Sequence, residues 1–100
     1  MTAQPSAVSR VLRKAGLDRY DPRALTSSRG YQVESGWHGV YVRYRDDKAP
    51  DAASAASPAW RTMRAALLGR YATVLGDAGY RVQFSAARLI VTRPDPEETP

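Results

Sequence analysis

Twice along this chain a helical register of apolar residues stops at a glycine and gives way to two β-rich runs, and that order limits the fold more than any other feature. In the first half Val8, Val11, Leu12 and Ala15 recur at i, i+3, i+4 and i+7, which predicts a short amphipathic helix over about residues 7–15, with Ser6 as N-cap and Gly16 as its stop. Tyr31 to Glu34 and Val40 to Arg45 follow as two strands joined through the glycine-flanked turn SGWHG. The second half starts at Ser57-Pro58, an N-cap serine with proline set for the first helical position. Trp60, Met63, Leu67, Tyr71, Val74 and Ala78 then share one face until Gly79. A second hairpin runs from Tyr80 to Ser85 and from Arg88 to Arg93 across Ala86-Ala87.

Laid over one another at an offset of 49, residues 30–43 and 79–92 are identical at four of fourteen positions: Gly30/Gly79, Tyr31/Tyr80, Val33/Val82 and Val42/Val91. Both helices end in the pattern Val-Leu-x-x-Ala-Gly, and the first half carries about fourteen extra residues between that ending and its first strand. Two readings stay open: a true internal repeat, or the same local structure selecting the same residue types twice. Either way the order is α-β-β-α-β-β. It predicts an α+β fold, a two-layer sandwich in which a four-stranded antiparallel sheet carries two helices on one face. The segment LDRYDPRALTSSR between helix and strand predicts a loop with one helical turn at Asp21-Pro22.

One hundred residues make one domain, and the 43 apolar residues, of which 16 are alanine, leave 27 larger side chains for a modest core. Residues 1–94 are expected to form it, with the polar, proline-bracketed stretch 46–57 as a mobile internal linker and residues 95–100 as an acidic disordered tail. The N-terminal residues lack the basic start and apolar stretch of a signal peptide, and no apolar run approaches the roughly 18 residues of a membrane span, so a cytoplasmic protein without a membrane partner is expected. Cysteine is absent, which removes disulfides, thiolate metal sites and a cysteine nucleophile.

Fifteen basic residues stand against ten acidic ones, and three of the acids, Asp95, Glu97 and Glu98, sit in the last six positions, so residues 1–94 carry +8. A field of that sign favours an anionic partner. Thirteen of the fifteen are arginine, asparagine is absent and isoleucine occurs once. With so much alanine, that bias reads as a high-GC genome, an actinobacterium or one of its phages or mobile elements, and it accounts for part of the arginine excess.

Strand alternation assigns Tyr31, Val33, Val40, Val42, Tyr80, Val82, Phe84, Leu89 and Val91 to the helix-covered face. The opposite face then displays Gln32, Glu34, Tyr41, Arg43, Arg45, Arg81, Gln83, Ser85, Arg88, Ile90 and Thr92: four arginines, an exposed tyrosine and an isoleucine against one carboxylate. Arginine grips phosphate through two bonds and stacks on bases, and a tyrosine ring offers itself to an unpaired base. The expected site is therefore Arg43, Arg45, Arg81 and Arg88 for phosphates with Tyr41 for stacking. Arg10, Arg13 and Lys14 extend it if the first helix lies along the sheet edge.

No residue set for catalysis is legible. The single histidine, His38, sits in a turn, no serine lies in a glycine elbow, and no glycine-rich phosphate loop occurs. Asp46, Asp47 and Asp51 lack the spacing of a calcium loop and read as a solvated charge run, so neither metal nor cofactor is expected. The string Ala7-Val8-Ser9-Arg10-Val11-Leu12 resembles the start of the recognition helix in helix-turn-helix proteins of the lactose-repressor family. The likeness covers five residues, and only about six precede it, short of the helix and turn that hold a recognition helix in that family. It implies no functional residues here.

The expectation is a small, non-enzymatic nucleic-acid-binding protein of accessory or regulatory type. The alternative is a protein–protein module, such as a phage or mobile-element assembly or inhibitor protein, that binds an acidic partner or itself. Trp37 at the hairpin tip supports the second reading, and the run from Arg88 to Arg93, if it lies at a sheet edge, offers a route to a homodimer.

Overall fold

The computed structural model describes residues 3–26, 28–47 and 57–93. Its elements are α1 (Pro5–Lys14), β1 (Arg29–Gly36), β2 (Gly39–Asp46), α2 (Pro58–Asp77), β3 (Arg81–Ser85) and β4 (Arg88–Thr92). The strands form one antiparallel sheet in the order β1-β2-β4-β3, and both helices pack against it, giving the two-layer α+β sandwich. Residues 48–56 of the expected linker, the whole expected tail 95–100, and Pro94 lie outside the described residues. The linker's first two residues belong to the fold instead: Asp46 ends β2, and Asp47 accepts hydrogen bonds from Tyr20 Oη (2.6 Å) and the Ser28 amide (3.1 Å).

α1 begins two residues earlier than its apolar register suggests, because Pro5 fits the first helical position; Gln4 is the N-cap and Ser6 lies inside the helix. α2 starts as expected, with Ser57 Oγ accepting the Trp60 amide hydrogen at 3.2 Å. The two helices end alike. Gly16 and Gly79 both adopt positive φ, at 84° and 96°; their amides bond Arg13 O and Gly76 O, and the Leu17 and Tyr80 amides reach back to Leu12 O and Leu75 O. That is the Schellman arrangement, which only a residue without Cβ adopts at little cost.

The core joins Val8 and Leu12 of α1, Leu68, Tyr71 and Leu75 of α2, and Tyr31, Val40, Val42, Leu89 and Val91 of the sheet. The register Trp60, Met63, Leu67, Tyr71, Val74 and Ala78 holds in part: Tyr71 is buried and Leu67 and Val74 pack against the core, but the buried stripe centres on Leu68, Tyr71 and Leu75, and Met63 is exposed. α2 packs on the sheet and on α1 at once, and the stripe turns to face both. Tyr31 is fully buried, edge-on to Tyr71 at 6.2 Å, with its hydroxyl donating to Ser9 O and accepting from Ser9 Oγ, each at 3.0 Å. Phe84 sits on the helix side of β3 but is 57% exposed.

The strand register makes the two halves correspond pair by pair. Adding 49 to each member of the β1–β2 pairs Gln32↔Arg43, Val33↔Val42, Glu34↔Tyr41, Ser35↔Val40 and Gly36↔Gly39 yields the five β3–β4 pairs, from Arg81↔Thr92 to Ser85↔Arg88. The same offset exchanges the β2–β4 pairs Val40↔Val91 and Val42↔Leu89 and leaves Tyr41↔Ile90 in place. A pseudo-twofold axis therefore passes through the sheet at Tyr41 and Ile90. β4 is interior, so the condition on which the Arg88–Arg93 run offered a route to a homodimer is not met: the central positions go to the C-terminal strands of the two hairpins, and the edges are β1 and β3.

The halves differ in the insertion between α1 and β1. It folds along the outer edge of β1, where Tyr31 donates its amide hydrogen to Asp18 O (3.0 Å) and Tyr20 donates to Tyr31 O (2.8 Å). This contact needs Gly30, with φ at +148°, because a Cβ there would run into the Asp18 and Arg19 backbone. A single turn follows at Asp21, whose Oδ1 accepts the Arg23 amide hydrogen and whose own amide donates to Ser28 Oγ. Asp47 pins the loop to the end of β2, and its carboxyl is held below the usual carboxylate range by the Tyr20 hydroxyl and the Ser28 amide.

Candidate nucleic-acid interface

Cross-strand partners share a face, so the register places Gln32, Glu34, Tyr41, Arg43, Arg45, Arg81, Gln83, Arg88, Ile90 and Thr92 opposite the helices, as alternation implies. The four arginines are not evenly spread. Continuing the β2–β4 register beyond Val42↔Leu89 sets Arg43 beside Arg88, with Arg45 one step further, while Arg81 lies at the far corner opposite Thr92.

Each of the three clustered arginines is positioned by a neighbour. Arg43 Nη2 meets Glu34 Oε1 at 3.2 Å between two half-exposed side chains, an ion pair worth at most about 1 kcal/mol in water. Arg43 Nε is covered and has no hydrogen-bond partner. The Arg88 guanidinium carbon stands 4.0 Å from the centroid of the Tyr41 ring. Arg45 holds a longer contact, 5.4 Å, with the ring of Tyr20 from the insertion.

Tyr41 departs from expectation. It is not an exposed ring but 9% accessible, because Gly36 leaves room for the ring on one side and Arg88 covers it on the other. A base cannot stack on it while Arg88 is in place. The partly exposed Arg88 guanidinium is the surface left for that role.

α1 packs on the edge strand β1, and Arg10 and Arg13 line a groove of about 420 Å³ with Ser6, Ser9, Arg19 and Val33. Lys14 is exposed at the end of α1 and lines neither this groove nor the next. A second groove of about 650 Å³ lies between Arg13, Arg19, Tyr20, Asp21, Pro22 and Arg23. Arg19, Tyr20 and Arg23 escaped the sequence reading, although the signal was present: the helices align at an offset of 63 and the strands at 49, which isolates the insertion that carries them.

Trp37 stands at the β1–β2 turn and is 97% exposed, beside a shallow groove that also includes His38, Thr92 and Arg93. Among the described residues no three or more His, Cys, Asp or Glu side chains gather as a metal site, and no helix is long and apolar enough to cross a membrane. No family model matches the chain, and comparison with curated proteins and with solved structures finds no match either.

Proposed function

We propose that this protein is a non-catalytic, cytoplasmic nucleic-acid-binding accessory protein that uses the uncovered face of its sheet. The observation that carries the reading is the charge of that face: among the described residues of the sheet, Arg43, Arg45, Arg81 and Arg88 against the carboxylate of Glu34. Arg43, Arg45 and Arg88 take phosphate oxygens, Arg81 extends the contact at the far corner, and Arg88, backed by Tyr41, supports a base.

Fluorescence anisotropy with labelled single- and double-stranded oligonucleotides tests it. Four phosphate contacts give a log–log salt slope of roughly −3 to −4. The double charge reversal R43E/R45E abolishes binding and leaves the fold intact, whereas R61E on α2 changes little. No binding by the wild-type chain at about 50 mM salt, where electrostatic affinity is strongest, removes the reading.

A second reading, a protein–protein module, is favoured by Trp37, since an indole at 97% exposure is an uncommon expense for a small domain unless a partner covers it. Positive charge then steers an acidic protein. Self-association would use the edge of β3 and not β4. Alanine at Trp37 abolishes partner capture under this reading and leaves oligonucleotide affinity unchanged under the first.

A further inference from the structure

We infer that the insertion between α1 and β1 builds a second stretch of the binding surface and that the whole surface accommodates a single strand, not a duplex; this rests on the nucleic-acid reading and specifies its ligand. The two grooves beside β1 share Arg13 and Arg19, so they form one basic channel from Arg10 on α1 to Arg23 in the insertion. Tyr20 lines that channel and also contacts Arg45 of the open face, joining the two surfaces across the β1 edge.

The channel carries a net positive charge, four arginines against the carboxylate of Asp21. Among the described residues none of Arg10, Arg13, Arg19 and Arg23 makes an ion pair. Its one lining carboxylate, Asp21, is engaged by the Arg23 amide in its own turn. The channel also has no counterpart across the pseudo-twofold axis, because the second half passes from Gly79 directly into β3. The insertion is thus the element by which one half of a symmetric scaffold becomes different from the other, and it places three arginine-bearing or aromatic positions, Arg19, Tyr20 and Arg23, at the edge of the open face.

The path decides the ligand. It leaves the open face, rounds the β1 edge and continues along α1 in the helix layer, so a bound chain must bend around a body only 24 Å across its shortest axis. Duplex DNA, with a persistence length of about 500 Å, resists that bend, whereas a single strand follows it freely.

The test uses the full chain and three probes: a labelled 20-nucleotide oligo-dT, the matching oligo-U, and a 20-base-pair duplex. On a single strand, eight contacts give a salt slope of roughly −5 to −6, against about −3 for the open face alone. The variant R13A/R19A/R23A is expected to lower single-strand affinity roughly 100-fold near 0.1 M salt and to shrink the slope by about 2. A second variant, R10E/R13E, touches α1 alone and gives the same direction of change; thermal melts of both match the wild type because these side chains are exposed. Wild-type affinity and slope in both variants, or tighter binding to the duplex, overturns the inference and leaves the nucleic-acid reading standing. Failure of the wild-type chain to bind any probe overturns both.

Discussion

Gly36 to alanine is a one-methyl change that tests how the open face is held. Gly36 has no positive φ to protect, so its backbone accepts alanine, but a Cβ there would overlap Cε2 and Cζ of Tyr41 and stand 2.7 Å from Cδ2. The ring has to move outward, since it lies on the sheet with no room beneath. Re-exposing on the order of 60 Å² of ring costs about 1.5 kcal/mol at 25 cal/mol per Å². Displacing Arg88 from the ring adds roughly 0.5–1 kcal/mol. The reduced freedom of the unfolded chain returns about 0.5–1 kcal/mol. The net loss is about 1–2 kcal/mol, read as a lower urea midpoint at unchanged slope. Gly76→Ala is the control: nothing lies within 4 Å of its Cβ, and it sits in α2, so it raises stability by about 1 kcal/mol. If G36A is as stable as the wild type, Tyr41 does not occupy the space above Gly36 and the account of its burial is wrong.

Three further outcomes are expected. Ala86, at the first central position of the β3–β4 turn, has φ at 55°, so Ala86→Gly stabilises the domain by about 1 kcal/mol in a denaturant titration. Gly30→Ala breaks the contact between the insertion and β1, lowering the melting temperature and speeding amide exchange at Tyr31, whose amide hydrogen bonds Asp18 O. Tyr71 is buried and its hydroxyl is pushed up to about 12 from 10.0, so its neutral form is favoured in the folded state; stability is complete below pH 10 and falls as pH rises from 10 toward 12. Phenolate absorbance and circular dichroism followed together should then change in concert at the top of that range, and independent changes would argue against a buried Tyr71.

Much of the fold was legible because short-range rules and tertiary packing agree in this chain. Gly16 and Gly79 end both helices by the same bonds, Ser57-Pro58 starts α2, and alternation in each strand sorts Val40, Val42, Leu89 and Val91 from Tyr41, Arg43, Arg88 and Ile90. What escaped depends on long-range placement. Strand order is not encoded in any single hairpin, so the interior position of β4 could not be read locally. Tyr41 alternates like an exposed residue, yet its ring lies over Gly36 across the turn and is covered by Arg88, a partner distant in sequence on the neighbouring strand. Asp47 reads as solvated charge until the insertion brings Tyr20 and Ser28 to it. Arg19 and Arg23 lie in a stretch without periodicity, and only the docking of that stretch on β1 brings them into line with Arg10 and Arg13.

The most direct measurement of the central claim is an amide chemical-shift titration of the labelled chain with a short single-stranded oligonucleotide. The account predicts that the amides of Tyr41, Arg43, Arg45, Arg88 and Ile90 move together with those of Arg19 and Tyr20, while the α2 amides from Arg61 to Arg64 stay in place. Shifts confined to Trp37 and His38, or no shifts at saturating oligonucleotide, would contradict it.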